Sequence, residues 1–514
     1  MHNKYFDLYD TTLRDGQQSI DVSFSVEGKL KIARAIYETL PVSHIEGGWP
    51  GANPTDTEFF KRAKTEPYAH LLAAFGMTRR ANTDVQTDVV MQNLLAAETP
   101  FVTLVGKSDM LHVQKVFSID PVENLHMIHD SVSFMRSNGR RVIYDAEHFF
   151  DGYNHDSKYA LKTLQAAADA GAETIVLCDT NGGTPYWNIA KCTEEVINNV
   201  HLHRKRQKKE NTNIKIGIHT HSDRGIGVAN ALAAIQKGAL HAQGTILGIG
   251  ERVGNADLLL LADWLDQMGY IKLANNQREA FTKLAQTVAH AAGVELHPNQ
   301  ALVGEHAFAT AAGMHQSAML RWKKAYAFRL PEDYGNMNKI VINNQSGGSA
   351  IAEVAQRIGL SLTKEEVKKV IEQIKEMEGK GYRYAKGRSS LELLMKRASS
   401  TYTQPFILTP NEDGALLTII KGNKKQEVTL SPTSTHINTM FDVLKNSLEC
   451  TYPNLAKIQI VTNHKYTEGD TCRVFLKVTD GSNIWHFVGV GKNDETALWD
   501  AVTHAVEFAI SKLE

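Results

Sequence analysis

Short runs of apolar residues alternate with stretches whose apolar positions recur every three or four residues, from the start of the chain to about residue 268. The runs lie at 6–9, 43–46, 71–75, 101–105, 142–144, 174–177, 214–218 and 241–246. Short runs buried on both faces read as strands of a parallel sheet. The stretches between them include 26–40, 84–97, 121–137, 157–170, 226–238 and 256–268, and their period is that of amphipathic helices. Eight strand–helix units in about 270 residues predict a closed (β/α)8 TIM barrel rather than an open sheet. We therefore assign residues 1–270 to an α/β barrel domain.

The rhythm then changes. Residues 278–293 and 363–379 read as helices, the second opening with Thr363 and Glu366 at capping-box spacing. Residues 271–400 are read as a helical linker region. From 401 to 514 strands are expected at 415–420, 426–430, 456–461, 473–478 and 484–490, with helices at 437–448 and 493–512. Strands backed by two helices make a small α+β domain.

Composition narrows the class of protein. The chain has 514 residues, with 56 Lys plus Arg against 57 Asp plus Glu. A net charge of −1 leaves no global basic footprint for nucleic acid. The basic run 204–209 falls between the sixth helix and the seventh strand and reads as a solvated helix end. Cys178, Cys192, Cys450 and Cys472 form no metal-like spacing and read as reduced thiols. No window suits a signal peptide or a membrane span, so the expectation is a cytoplasmic protein that binds neither membrane nor nucleic acid.

Candidate chemistry falls where a barrel keeps it, on the loops after the strands. His219-Thr220-His221 ends the seventh strand, and alternation turns both imidazoles to one side. Asp15, just past the first strand, opens onto the same mouth. Two imidazoles and one carboxylate hold a divalent ion with positions left open. Arg14 beside it is a clamp for a planar acid or an oxyanion. Gly248, Gly250, Glu251, Arg252 and Gly254 form a glycine-rich loop after the eighth strand, a common anion site in barrels, and Asn255 offers a neutral oxygen to the ion. The loop's spacing is not that of the dinucleotide fingerprint. Glu147 after the fifth strand is a candidate acid or base, and Thr180 after the sixth a donor to substrate. Surface pairs, packed imidazoles and ordinary tight turns are the alternatives for each.

Together DTTLRDGQQS at 10–19, HTH at 219–221 and GERVGN at 250–255 resemble the metal-dependent Claisen-condensing acyltransferases and their related lyases. That family includes the 2-isopropylmalate, homocitrate and citramalate synthases. EGGWPGANPTDTEFF at 46–60, FGMTRRA at 75–81, YDAEHFFDGY at 144–153 and LCDTNGGT at 177–184 are most similar to the citramalate synthases. Residues 480–502 resemble the family's C-terminal regulatory dimerisation domain.

The resemblance implies a transferase that condenses acetyl-CoA, as co-substrate, with a 2-oxo acid and then hydrolyses the thioester. Asp15, His219, His221 and Asn255 would hold the divalent cation, Mg, Mn or Zn. Arg14, Glu147 and His315 would be catalytic, the last supplied to a partner subunit. Arg14, Gln18, Tyr144 and Thr180 would contact substrate, and the loop from Gly248 to Gly254 would meet CoA. Pyruvate is the implied acceptor, with citramalate as product on a threonine-independent route to isoleucine. A homodimer with an amino-acid effector (isoleucine or leucine) at the C-terminal domain is implied as well. Two departures stand out: Ser222 follows the second histidine where the family usually has Asn, and 309–314 lacks the usual Lys-Gly-Gly-rich stretch before His315. The readings left open are a different 2-oxo acid, as in 2-isopropylmalate or homocitrate synthase, and a non-catalytic amino-acid sensor.

Overall fold

In a computed structural model, residues 6–207, 214–310, 312–338, 340–411, 414–422, 424–430 and 436–513 are described, without the side chains of 200–207, 410, 411 and 414. The basic run 204–209 therefore lies outside the described side chains.

Eight parallel strands close into a barrel: β1 (Asp7–Asp10), β2 (His44–Gly48), β3 (Leu72–Met77), β4 (Phe101–Lys107), β5 (Arg141–Glu147), β6 (Thr174–Asp179), β7 (Lys215–Thr220) and β8 (His241–Gly244). Closure is direct, because β1 pairs with β2 on one side and with β8 on the other. Side chains of alternate residues fill the interior, among them Tyr9, Ala73, Phe101, Ile143, Val176 and Cys178. Residues between them point out to the helices.

Local chemistry starts the surrounding helices where the sequence predicts. Val26–Thr39 begins after Ser25, whose side chain accepts the Gly28 amide. Pro121–Ser137 carries Asp120 as its cap and proline in its first turn, where no amide is missed. Phe149–Ala170 starts eight residues before the expected 157, and the backbone breaks at Asp156 (φ −151°, ψ 92°). The periodic pattern resumes after that break, which is why the first turns escape a periodicity reading. Pro54–Ala63, capped by Asn53, was not expected.

The chain divides into two compact units, residues 1–307 with 331–337, and 308–330 with 338–514. The expected boundaries at 270 and 400 differ from this division. Helix Phe281–Ala292 belongs with the barrel, packing its buried Leu284, Ala285 and Val288 within that unit. In the second unit the helices Gly348–Arg357, Lys364–Gly379 and Arg388–Ala398 share one apolar cluster with Val488. The expected linker helices thus pack on strand Ile484–Gly491 of the α+β fold within one compact unit. Here β9 (Phe406–Asn411), β10 (Gly414–Lys421) and β11 (Lys424–Leu430) form one antiparallel sheet. A second contains β12 (Gln459–Glu468), β13 (Thr471–Thr479) and β14 (Ile484–Gly491). Helices Ile437–Glu449 and Asp494–Leu513 bury Leu444, Leu448, Leu498 and Val502 against these sheets. Among the described residues no helix is long and apolar enough to cross a membrane.

Candidate active site at the barrel mouth

The chain turns sharply after β1. Asp10 accepts the Thr12 amide at 3.1 Å and its hydroxyl at 2.6 Å, and the Thr12 hydroxyl accepts the Ile246 amide at 2.9 Å. This ties the end of β1 to the segment after β8 and delivers Asp15 to the mouth, where it is 3% exposed. The β7 alternation delivers His219 and His221, also buried. Asp15 Oδ2 lies 3.5 Å from His219 Nε2, and the two imidazole Nε2 atoms are 3.3 Å apart. Burial opposes ionisation of Asp15, but Arg14 and the two imidazoles outweigh it and hold the carboxyl down at about 2.

The proton on His219 is placed by its neighbours. Its Nδ1 is 2.8 Å from Gln243 Oε1, and Gln243 Nε2 donates to Asp145 Oδ1 at 3.0 Å. That chain turns the amide oxygen toward the imidazole, so Nδ1 carries the hydrogen and Nε2 offers a lone pair to the Asp15–His221 side. Burial also lowers the proton affinity of His219, and drives that of His221 down to about 4. Neutral imidazoles and an ionised carboxylate are the ligand forms a cation requires. Asn255 donates Nδ2 to Asp15 Oδ1 at 3.1 Å, while its buried Oδ1 has no hydrogen-bond partner, and neither has His221 Nδ1. Ligand atoms of Asp15, His219 and His221 lie within 4.8 Å of one another, and Asn255, whose buried Oδ1 is orphaned, is hydrogen-bonded to Asp15, so the residues present fit a divalent ion.

Arg14 sits between acids. Its Nε donates to Glu46 Oε2 at 2.7 Å, its Nη1 to Asp15 Oδ2 at 2.9 Å, and its guanidinium lies 3.9 Å over the Phe75 ring. Burial disfavours its charge, yet Glu46 and Asp15 more than restore it. Among the described residues its Nη2 has no protein partner. Glu46 is fully buried, accepting from Tyr9 at 2.7 Å and from Thr11. Asp145 faces the same cavity, and burial with Glu46 nearby raises its carboxyl to about 8. Sequence reasoning did not nominate Glu46 or Gln243 and passed over Asp145. Alternation along β2 and β5 puts Glu46 and Asp145 on inward faces, which is the signal that could have found them.

Arg14, Asp15, Phe75, Asp145, His219 and His221 line a cavity of about 330 Å³ together with Gln18, Thr180 and Glu251. Gln18 Oε1 lies 3.5 Å from Arg14 Nη1. Glu147 is ion-paired to Lys107 at 2.5 Å. Thr180 uses its hydroxyl oxygen to accept the His148 amide at 2.8 Å. Tyr144 is a correction. It was expected to touch substrate, but β5 turns Ile143 and Asp145 inward and Tyr144 outward. Its ring is completely buried behind the sheet, against the backbone of Gly106 and near Ile128.

The loop after β8 does more to position Asn255 than to display amides. Gly248 N bonds to Thr245 O, Gly254 N to Glu251 O, and Asn255 N to Gly248 O. A Cβ on Gly250 would stand 2.2 Å from Asn255 Nδ2. Arg252 is committed, donating to Asp223 at 2.8 and 3.0 Å and to Thr180 O at 2.7 Å. His315 lies in the other unit, on helix Gly313–Arg321, where its ring stacks on Tyr326 at 4.0 Å.

Residues 5–290 match the HMGL-like family model, and 302–381 match the homocitrate synthase post-HMGL domain-like model. The chain is 37% identical to an (R)-citramalate synthase of Aquifex aeolicus, over 99% of this chain and 98% of that protein. It is 36% identical to an (R)-citramalate synthase of Geobacter sulfurreducens over the same shares. A 2-isopropylmalate synthase of Heliobacterium modesticaldum is 31% identical over 72% of this chain and 69% of that protein.

Proposed function

The chain belongs to the HMGL-like family and, within it, to the (R)-citramalate synthases, and from that premise we propose how its barrel mouth works. The reaction is condensation of acetyl-CoA with pyruvate, followed by hydrolysis of the thioester to give citramalate and CoA. The enzyme is an acyltransferase whose acyl group becomes an alkyl group on transfer. The observation that carries the reading is the convergence of Asp15, His219, His221 and Arg14 on one cavity in a chain similar to citramalate synthases over almost its whole length.

Asp15, His219, His221 and Asn255 are the residues that hold a divalent ion, Mg, Mn or Zn. Such an ion supplies Lewis acidity to the keto group of a bound 2-oxo acid. Arg14 meets the developing negative charge on the keto oxygen through Nη2, while Glu46 and Asp15 keep the guanidinium flat against Phe75. Gln243 keeps His219 in the tautomer that presents Nε2. Glu147 takes part in moving the methyl proton of acetyl-CoA, and its ion pair with Lys107 fixes its position at the cavity edge. Carbon–carbon bond formation gives the citramalyl thioester, and water then releases CoA as a thiol. Gln18 and Thr180 border the acid, and the Gly248–Gly254 loop borders CoA. Phe75 and Val105 give the acceptor side an apolar wall suited to one methyl group.

The C-terminal unit binds an amino-acid effector, isoleucine or leucine, and two chains form a cytoplasmic homodimer in which His315 serves the partner's site. Support comes from the resemblance of residues 480–502. The long edge strand β12, whose side chains are mostly exposed, offers a surface for pairing. Release of CoA thiol with pyruvate, 2-oxobutyrate, 2-oxoisovalerate or 2-oxoglutarate, with and without chelator, tests the reaction. Chelator-sensitive release selective for pyruvate is the expected result. Selectivity for another acid moves the acceptor, and no release with any acid removes the assignment.

A further inference from the structure

At the end of the barrel opposite the mouth, the first residues of three neighbouring strands bring another pair of imidazoles to a carboxylate. Asp7 opens β1, His44 opens β2 and His241 opens β8. The central strand β1 aligns Asp7 with His241 and Tyr9 with His44. One ligand atom from each of the three lies within 4.8 Å of the others. Among the described residues, this trio and that of Asp15, His219 and His221 are the groups of His, Cys, Asp or Glu that converge so closely.

The trio is built into the wall and is not a surface accident. The two imidazole rings are 5.8 Å apart, and each packs on Tyr9, at 5.4 and 5.2 Å. Phe101 meets His44 edge-on at 4.3 Å. Space for His241 comes from Gly217 on β7, where a Cβ would lie 2.7 Å from His241 Cδ2. His241 is 0% exposed and His44 5%. Yet both ring nitrogens of His241 and Nδ1 of His44 have no hydrogen-bond partner. The nearest carboxylate oxygen, Asp7 Oδ2, is 4.0 Å from His241 Nδ1, too far for a hydrogen bond. Buried polar atoms in a native fold are normally satisfied, and here three point at an unexplained occupant. Burial keeps both rings neutral, with proton affinity pushed down to about 3, so their lone pairs are available. Asp7 and Lys215 are partly exposed.

We propose that Asp7, His44 and His241 form a second divalent-metal site, structural rather than catalytic, that clasps β8, β1 and β2 where the barrel closes. Two imidazole nitrogens and one carboxylate oxygen select a borderline transition ion such as Zn²⁺ over Mg²⁺ or Ca²⁺. Zn–N bonds of about 2.0–2.1 Å put ligand atoms about 3.4 Å apart, so the trio draws in by roughly 1 Å on binding. Lys215 Nζ holds Asp7 Oδ2 at 2.6 Å and competes with the ion for that carboxylate. Arg141, the other cation close to His44, is occupied by Glu173.

The test is Zn²⁺ titration of the chelator-stripped full-length protein against a chromophoric chelator, after gel filtration. Two tight equivalents are expected in the wild type, one in His219→Ala, one in His44→Gln and none in the double variant. Added Zn²⁺ should also raise the unfolding midpoint of His219→Ala. Lys215→Met, which removes the competitor without touching a ligand, should tighten the remaining site of His219→Ala several-fold. A single wild-type equivalent that His219→Ala abolishes overturns the proposal. So does an equivalent that survives in the double variant, or an affinity that Lys215→Met leaves unchanged. Loss of the mouth site alone removes only the equivalent assigned to His219, so the two assignments fail separately.

Discussion

At the scale of single residues, the mouth depends on groups that each do two things. Arg14 binds Glu46 through Nε and Asp15 through Nη1, and among the described residues Nη2 has no protein partner, which is the group proposed to meet substrate. A lysine gathers its donors on a single nitrogen and cannot span the separate positions reached by Nε, Nη1 and Nη2, so Arg14→Lys should lower kcat by about 10²–10³-fold while the protein stays folded. CoA-thiol release and an unfolding curve check both halves. Tyr144 makes the opposite case. Its hydroxyl lies behind the sheet, so Tyr144→Phe should leave kcat and KM for pyruvate within about twofold, measured by the same assay. Asp145 brings pH dependence. Its carboxyl is raised from 3.8 to about 8 by burial and Glu46, so the folded state binds a proton that the unfolded state has released. Its contribution to stability is complete below about pH 4 and is lost as pH rises toward 8. Asp145→Asn keeps an acceptor for Gln243 and cannot ionise. In chelator, its unfolding midpoint should fall less between pH 5 and 8 than that of the wild type.

Elements set where those residues stand. Strand alternation sends Ile143 and Asp145 inward and Tyr144 outward, and the same rule pairs His219 with His221. The loop after β8 supplies Asn255 only because Gly250 lets the backbone pass its amide. Gly250→Ala would place a methyl group 2.2 Å from Asn255 Nδ2 and push that side chain off Asp15. Turnover and metal retention should both fall at least about tenfold, with a small change in unfolding midpoint. Elements also explain what sequence patterns missed. Helix Phe149–Ala170 breaks at Asp156, so its apolar period restarts there. Strand β9 contains Pro410, which weakens a strand reading, yet it pairs with β10 as an edge, where a missing amide is tolerated.

The whole molecule divides differently from the pattern along the chain. Helices between 340 and 400 bury Ile351, Val370 and Met395 in a cluster that includes Val488 of β14. A chain ending at 400 therefore exposes that cluster, whereas one ending at 338 retains residues 331–337 with the barrel unit. Residues 1–338 should remain soluble and be cut only within 308–330, and residues 1–400 should aggregate or be trimmed in the 340–400 segment as well. Limited proteolysis with mass spectrometry distinguishes the two. Sequence by itself determined the barrel, because eight buried runs alternating with amphipathic helices have few ways to close. It also brought Asp15, His219 and His221 to one place, because strand ends in a barrel share one mouth and alternation orients the imidazoles. Tertiary structure alone decided the partners of those groups: the Gln243–Asp145 chain behind His219, the Glu46 clamp on Arg14, and the outward turn of Tyr144. It alone joined Asp7, His44 and His241, which stand as far as 234 positions apart and meet only where β8 returns to β1. The physical reason is that period and spacing act over a few residues, whereas burial, hydrogen bonding and charge at a site are set by neighbours that only barrel closure brings together.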